Sequence, residues 1–171
     1  MKHTISIMVE NKFGVLARIA GLFSARGFNI ESLAVGPTED ESVSRMTIVS
    51  DGDEKTLEQI KKQLNKLIDV IKVADFKEGE FIDRELVLVR VAVNTKNKKE
   101  VIASMEASGA RVVGAGSKSV SIEASGSEKS VRSLLEAAKP FGILEVVRTG
   151  RIAMGTEDRI VKAGGKPEVN E

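Results

Sequence analysis

Cysteine is absent from the 171 residues, which excludes disulfides, thiolate metal sites and cysteine nucleophiles. Histidine occurs once, as His3, so no metal centre can be built from several imidazoles. Tyrosine and tryptophan are also missing, and six phenylalanines are too few for a platform on which single-stranded nucleic acid would stack. Lys and Arg number 26 against 25 Asp and Glu, so the chain lacks the basic excess of a nucleic-acid face. No apolar run approaches the roughly 20 residues needed to cross a bilayer, and Met1-Lys2-His3-Thr4 does not lead into a signal-peptide core. The expectation is a cytoplasmic protein with neither nucleic-acid nor membrane partners.

What the chain does contain is periodicity, with 42% hydrophobic residues to build cores. Ile5, Ile7 and Val9 alternate with Thr4, Ser6 and Met8, the pattern of a strand. After a polar loop, Val15, Leu16, Ile19, Ala20, Leu22 and Phe23 recur at helical spacing until Gly27. Residues 28–35 and 42–50 read as a hairpin around an acidic, proline-containing turn. Asp51 and Glu54 resemble a capping box for a second helix carrying Leu57, Ile60, Leu64 and Leu67, and 70–76 form a fourth strand.

Lys77-Glu78-Gly79-Glu80 is the expected linker, and beyond it the same order begins again. Residues 86–93 form a strand, 98–108 a helix, and 110–113 with 119–124 a strand pair. Ser127 caps a helix through Val131, Leu134, Leu135 and Ala138, Pro140 stops it, and 143–147 extends. The reading is α+β: two ferredoxin-like βαββαβ domains, 1–76 and 77–171, each a four-stranded antiparallel sheet with its helices on one face. From Thr156 onward, glycine and charge suggest a tail ordered only by a partner.

Chemistry concentrates in Glu10-Asn11-Lys12-Phe13-Gly14-Val15-Leu16, which places a polar loop between the first strand and the first helix. Free N–H groups and the dipole at a helix start attract a carboxylate, by about 0.3 to 1 kcal/mol at an exposed site. Gly14 would let a ligand approach the backbone, Asn11 offers an acceptor for an ammonium group, and Asn29 lies just beyond the helix. Two amides bracketing an amino-acid zwitterion is one account of these residues. A loop shaped by Asn11 and Gly14, with Asn29 only turning the chain, is the other.

Elsewhere the signals are weaker. Gly114-Ala115-Gly116 lacks the further glycine and the βαβ setting of a dinucleotide loop, and no P-loop sequence is present. Glu39-Asp40-Glu41 reads as a solvated acidic turn. No base stands in a pattern that would activate a serine or threonine, so catalytic residues and metal ligands are expected to be absent.

HTISIMVENKFGVLARIAGLFSARGFNIESLAVG, from His3 to Gly36, resembles the ACT domain of the acetohydroxyacid synthase (acetolactate synthase) small-subunit family. Ser44-Arg45-Met46-Thr47-Ile48 and Asp53-Glu54-Lys55 continue the likeness. Arg84-Glu85-Leu86 and Glu145-Val146-Val147-Arg148-Thr149-Gly150 resemble that family's C-terminal domain. Phe28 stands where Tyr is frequent, and the likeness fades after Gly155.

The resemblance implies a non-catalytic regulatory subunit, feedback-inhibited by valine or a related branched-chain amino acid. Its effector site would lie between the ACT domains of a homodimer, with Asn11, Gly14, Val15 and Leu16 from one protomer and Asn29 and Ile30 from the other. It also implies a large catalytic partner holding thiamine diphosphate, Mg²⁺ and FAD, with no cofactor in this chain. A free-standing ACT-type sensor for another partner, or a small enzyme, are the rival expectations.

Overall fold

The computed structural model describes residues 1–156. Their chain forms two compact units. The first comprises Met1–Ile82 with residues 151–156, and the second Asp83–Gly150.

In the first unit, β1 (Lys2–Glu10), α1 (Val15–Ala25), β2 (Ile30–Pro37), β3 (Val43–Asp51), α2 (Glu54–Leu64) and β4 (Val70–Phe76) follow in the expected order. Their sheet runs β2-β3-β1-β4, with β1 antiparallel to both neighbours. Register places Ile5 opposite Ile48 and Ile7 opposite Met46. These residues and Val9 form one apolar face, because side chains alternate along a strand. Against that face, α1 buries Val15, Ile19 and Phe23, and α2 buries Leu57, Ile60 and Leu64, each at helical spacing. Phe23 meets Phe28 edge to face, with ring centroids 6.2 Å apart.

Capping explains where the helices begin and end. Gly27, at φ 69°, turns the chain after α1 while its neighbour Phe28 donates its N–H to the Phe23 carbonyl. The start of α2 differs from the sequence reading. Asp53, not Asp51, is the N-cap, its carboxylate accepting from the Thr56 N–H at 2.7 Å. Asp51 is engaged elsewhere, by the amino group of Met1 at 2.8 Å.

The first sheet's second face is rich in hydroxyls, and it is covered. β9 (Ile152–Gly155), a strand absent from the sequence reading, pairs with β5 (Phe81–Ala92), whose first residues belong to this unit. The Ala153 N–H donates to Thr47 Oγ1 at 3.2 Å, and Arg151 donates from its backbone to Ser32 Oγ and from its guanidinium to Thr4 Oγ1, both at 2.9 Å. Ala153 is buried with Met8, Val43 and Phe76 in a small second core. Phe81 packs on that cluster and stacks on Phe76.

The sequence reading divides the chain after Phe76 and assigns all that follows to a second domain. In the structure the first unit extends to Ile82 and also takes residues 151–156. Hydroxyl-bearing β-strand faces need partners once buried, and the returning segment supplies them to Thr4, Ser32 and Thr47. Thr156 belongs here too, donating its N–H to the Glu80 carbonyl at 3.0 Å. The remainder of the expected tail lies outside the described residues.

The second unit repeats the plan with β5, α3 (Lys98–Ala107), β6 (Arg111–Ala115), β7 (Ser119–Gly126), α4 (Glu128–Ala138) and β8 (Ile143–Arg148). Strand order is β6-β7-β5-β8. Val87, Val89 and Val91 of β5 pack with Val120 and Ile122 beneath Val101, Met105, Val131 and Leu134 of the helices. Ser127 caps α4 through the Ser130 N–H, as its position predicts. Two ferredoxin-like βαββαβ units are therefore present.

Candidate functional site

The segment between β1 and α1 is held at both flanks. On one side, Asn11 donates its backbone N–H to the Ser42 carbonyl at 2.7 Å and its side-chain Nδ2 to the Glu41 carbonyl at 2.8 Å. That commits an N–H of the amide to the β2–β3 turn and leaves Oδ1 as an acceptor suited to an ammonium group. At the same end the Glu10 N–H donates to the Asp69 carbonyl at 2.9 Å, and at the other end Arg18 Nη1 lies 2.6 Å from Asp69 Oδ2.

Gly14 begins α1 in the left-handed region, at φ 82° and ψ −7°. A Cβ there would meet only Arg18 Nη2, at 3.8 Å, so backbone conformation rather than crowding is what favours glycine. Lacking a side chain, Gly14 cannot cap the helix, and no acidic residue sits in the first turn. The Val15 N–H makes a long contact of 3.4 Å to the Lys12 carbonyl, and the Leu16 and Ala17 N–H groups that follow keep their donor capacity for an anion.

Each predicted residue has a definite place. Val15 is a core residue, so only its backbone faces the loop, whereas Leu16 is exposed beside the fully exposed Phe13. Asn29 is exposed, with its carbonyl accepting from Ser50 Oγ at 2.7 Å, and Ile30 packs on the first core. Asn11, Gly14, Val15 and Leu16 cluster at one end of α1. Asn29 and Ile30 follow the other end, an 11-residue helix away, or about 16 Å at 1.5 Å per residue. Within one chain, the two amides do not bracket a single ligand.

Sequence reasoning missed the supports: the Glu41 and Ser42 carbonyls and Asp69. Backbone acceptors leave no trace in residue type, and a lone Asp69 between a helix and a strand looks like an ordinary surface acid. Lys12 pairs with Glu10 at 2.8 Å, and that hydrogen bond holds its ammonium pKa above the usual lysine value. Among the described residues no group of three or more His, Asp or Glu side chains is arranged to hold a metal ion, and no helix is long and apolar enough to cross a membrane.

Comparison with known proteins bears on both units. Residues 5–72 match the AHAS small subunit-like ACT domain, and residues 84–157 match the family described as small subunit of acetolactate synthase. The chain belongs to the acetolactate synthase small-subunit family.

Its relatives include a probable acetolactate synthase small subunit of Archaeoglobus fulgidus, 49% identical over 154 residues, covering 90% of this chain and 96% of that protein. Another is the acetolactate synthase small subunit of Mycolicibacterium smegmatis, 44% identical over 161 residues, covering 94% and 95%. The crystal structure of the small subunit from Thermotoga maritima superposes with a TM-score of 0.83 at 34% identity, covering 91% of this chain and 98% of that one.

As an acetolactate synthase small subunit the chain is regulatory rather than catalytic. The two C-terminal segments that carry the family likeness meet in space. Glu85 and Arg148 form a two-point salt bridge, and Thr149 donates its N–H to the Leu86 carbonyl at 3.1 Å. These contacts tie β8 to β5 at the base of the second unit.

Proposed function

We propose that this small subunit docks on a large catalytic subunit, raises its activity and makes it inhibitable by valine. The effector would sit where the start of α1 in one protomer faces Asn29 and Ile30 of a second protomer. The separation of these residues by the length of α1 carries the reading, since a site that uses both ends needs two copies of the chain. The uncapped first turn of α1 would take the carboxylate, Asn11 Oδ1 the ammonium group, and exposed Leu16 the aliphatic side chain.

In this scheme the carbon–carbon bond formation belongs to the partner, with thiamine diphosphate, Mg²⁺ and FAD bound there, and the assembly works in the cytoplasm. Valine inhibits because it binds one arrangement of the dimer better than another; typical couplings of about 1 to 3 kcal/mol correspond to roughly 5- to 150-fold changes. A methylene more or less is worth about 1 to 3 kcal/mol in an apolar pocket, so valine, leucine and isoleucine are all expected to act, at concentrations that differ by roughly 10- to 200-fold at most.

The test is reconstitution. Acetolactate formation by the cognate large subunit is measured alone, with this chain, and with each branched-chain amino acid added. Activation that valine reverses supports the assignment. A large subunit indifferent to this chain, or an activated complex blind to all three amino acids, refutes it.

A further inference from the structure

We infer that Asp69 is a positioning residue for the effector loop, holding the segment from Glu10 to Arg18 in its binding shape through Arg18 and the Glu10 N–H. The inference rests on the effector site proposed above and adds to it a residue that touches no ligand.

Asp69 is buried although it carries a carboxylate, and it sits in the turn between α2 and β4. Its two polar ends grip the two ends of the loop. The carbonyl accepts from the Glu10 N–H, where β1 stops, and Oδ2 takes Arg18 Nη1, where α1 has completed its first turn. Arg18 in turn donates its own N–H to the Gly14 carbonyl at 3.0 Å. Asn11, Gly14, Val15 and Leu16 all lie between these two anchors.

A nearly buried carboxylate is retained at a cost unless it is paired, so its partner is fixed in place rather than free to wander. Gly14 gives the loop a backbone that is easily redirected, and Asn11 ties only the β1 end of the loop, to the β2–β3 turn. With Val15 fixed in the core, the Asp69–Arg18 pair is the second hold on the first turn of α1, and with it on the aim of the N–H groups offered to a carboxylate. Small misplacements of such groups are costly in recognition because hydrogen-bond strength falls steeply with angle.

The test is calorimetric titration of the purified full-length chain with valine, with the melting temperature of each variant recorded in the absence of ligand. Asp69→Asn and Arg18→Gln are each expected to weaken valine binding roughly tenfold, and Arg18→Lys to return it to within about threefold of wild type. Arg18→Gln strands the buried Asp69 charge whereas Asp69→Asn removes it and keeps the side-chain shape, so the two variants do not share one folding defect. Wild-type affinity in Arg18→Gln overturns the role, as does a loss that Arg18→Lys fails to repair. Weakened binding by variants that melt like wild type supports it. No valine binding by the wild-type chain is a different result: it removes the effector site itself.

Discussion

Glu85 and Arg148, 63 residues apart in the chain, clasp each other through two parallel hydrogen bonds, Nε to Oε1 at 2.7 Å and Nη2 to Oε2 at 2.6 Å. The glutamate is buried and the arginine is nearly half exposed. Removing the cation strands a buried charge, which costs about 3 to 5 kcal/mol for a fully buried pair and less where water reaches one partner. Arg148→Ala is expected to destabilise the second unit by about 2 kcal/mol in denaturant unfolding. Replacing both residues by leucine should recover most of that loss.

Ser6 and Thr47 stand opposite each other on the covered face of the first sheet, yet they answer to substitution in opposite ways. Thr47 Oγ1 accepts from Ala153, whereas Ser6 Oγ is buried with no hydrogen-bond partner among the described residues. Thr47→Val therefore leaves the Ala153 N–H unsatisfied and should cost about 1 to 3 kcal/mol. Ser6→Ala removes an unsatisfied hydroxyl and should be neutral or stabilising. Thermal melts of the two variants, run side by side, check the contrast.

Asp53 has a depressed carboxyl pKa because the Thr56 side chain and then the Thr56 backbone N–H hydrogen-bond its charged form. A group whose folded pKa lies below its unfolded value stabilises above the unfolded pKa, near 3.8. That contribution disappears as pH falls through the folded value. Asp53→Ala should consequently melt earlier than wild type at neutral pH, and the gap should close in acid. A gap that stays constant from neutral pH to below the carboxylate range would show that the cap does not titrate as described.

Gly14 occupies the left-handed region, where an L-residue costs about 1 to 2 kcal/mol. Gly14→Ala should lower stability by that amount and weaken the valine response only modestly. Gly14→Asp adds a negative charge where the effector carboxylate is expected, so inhibition should be lost while activation survives. Inhibition curves for the two variants against wild type separate the effect of charge from that of strain.

Most of the fold was legible in the chain because its cores are built on two simple periods. Ile5, Ile7 and Val9 mark a strand, and Val15, Ile19 and Phe23 a helix, without reference to anything distant. What escaped were features decided at long range. β9 is only four residues long, too short to show a period, and its place depends on hydroxyls of Thr4, Ser32 and Thr47 more than 100 residues earlier. The choice of Asp53 over Asp51 as cap turned on how far β3 runs, since Asp51 is its last residue and only Asp53 directly precedes α2. At the candidate site, residue types pointed to the loop through Asn11 and Gly14, but its distance from Asn29 became visible only once α1 had a direction.

The return of β9 to the first sheet also has a consequence in time. A ribosome working from the amino terminus would finish every helix and strand of the first core by Phe76, and the whole second unit by Gly150, before the strand that seals the first sheet emerges. Until then Met8, Val43 and Phe76 have Phe81 against them but not Ala153, and the nascent first domain is open on the side that residues 151–155 will close.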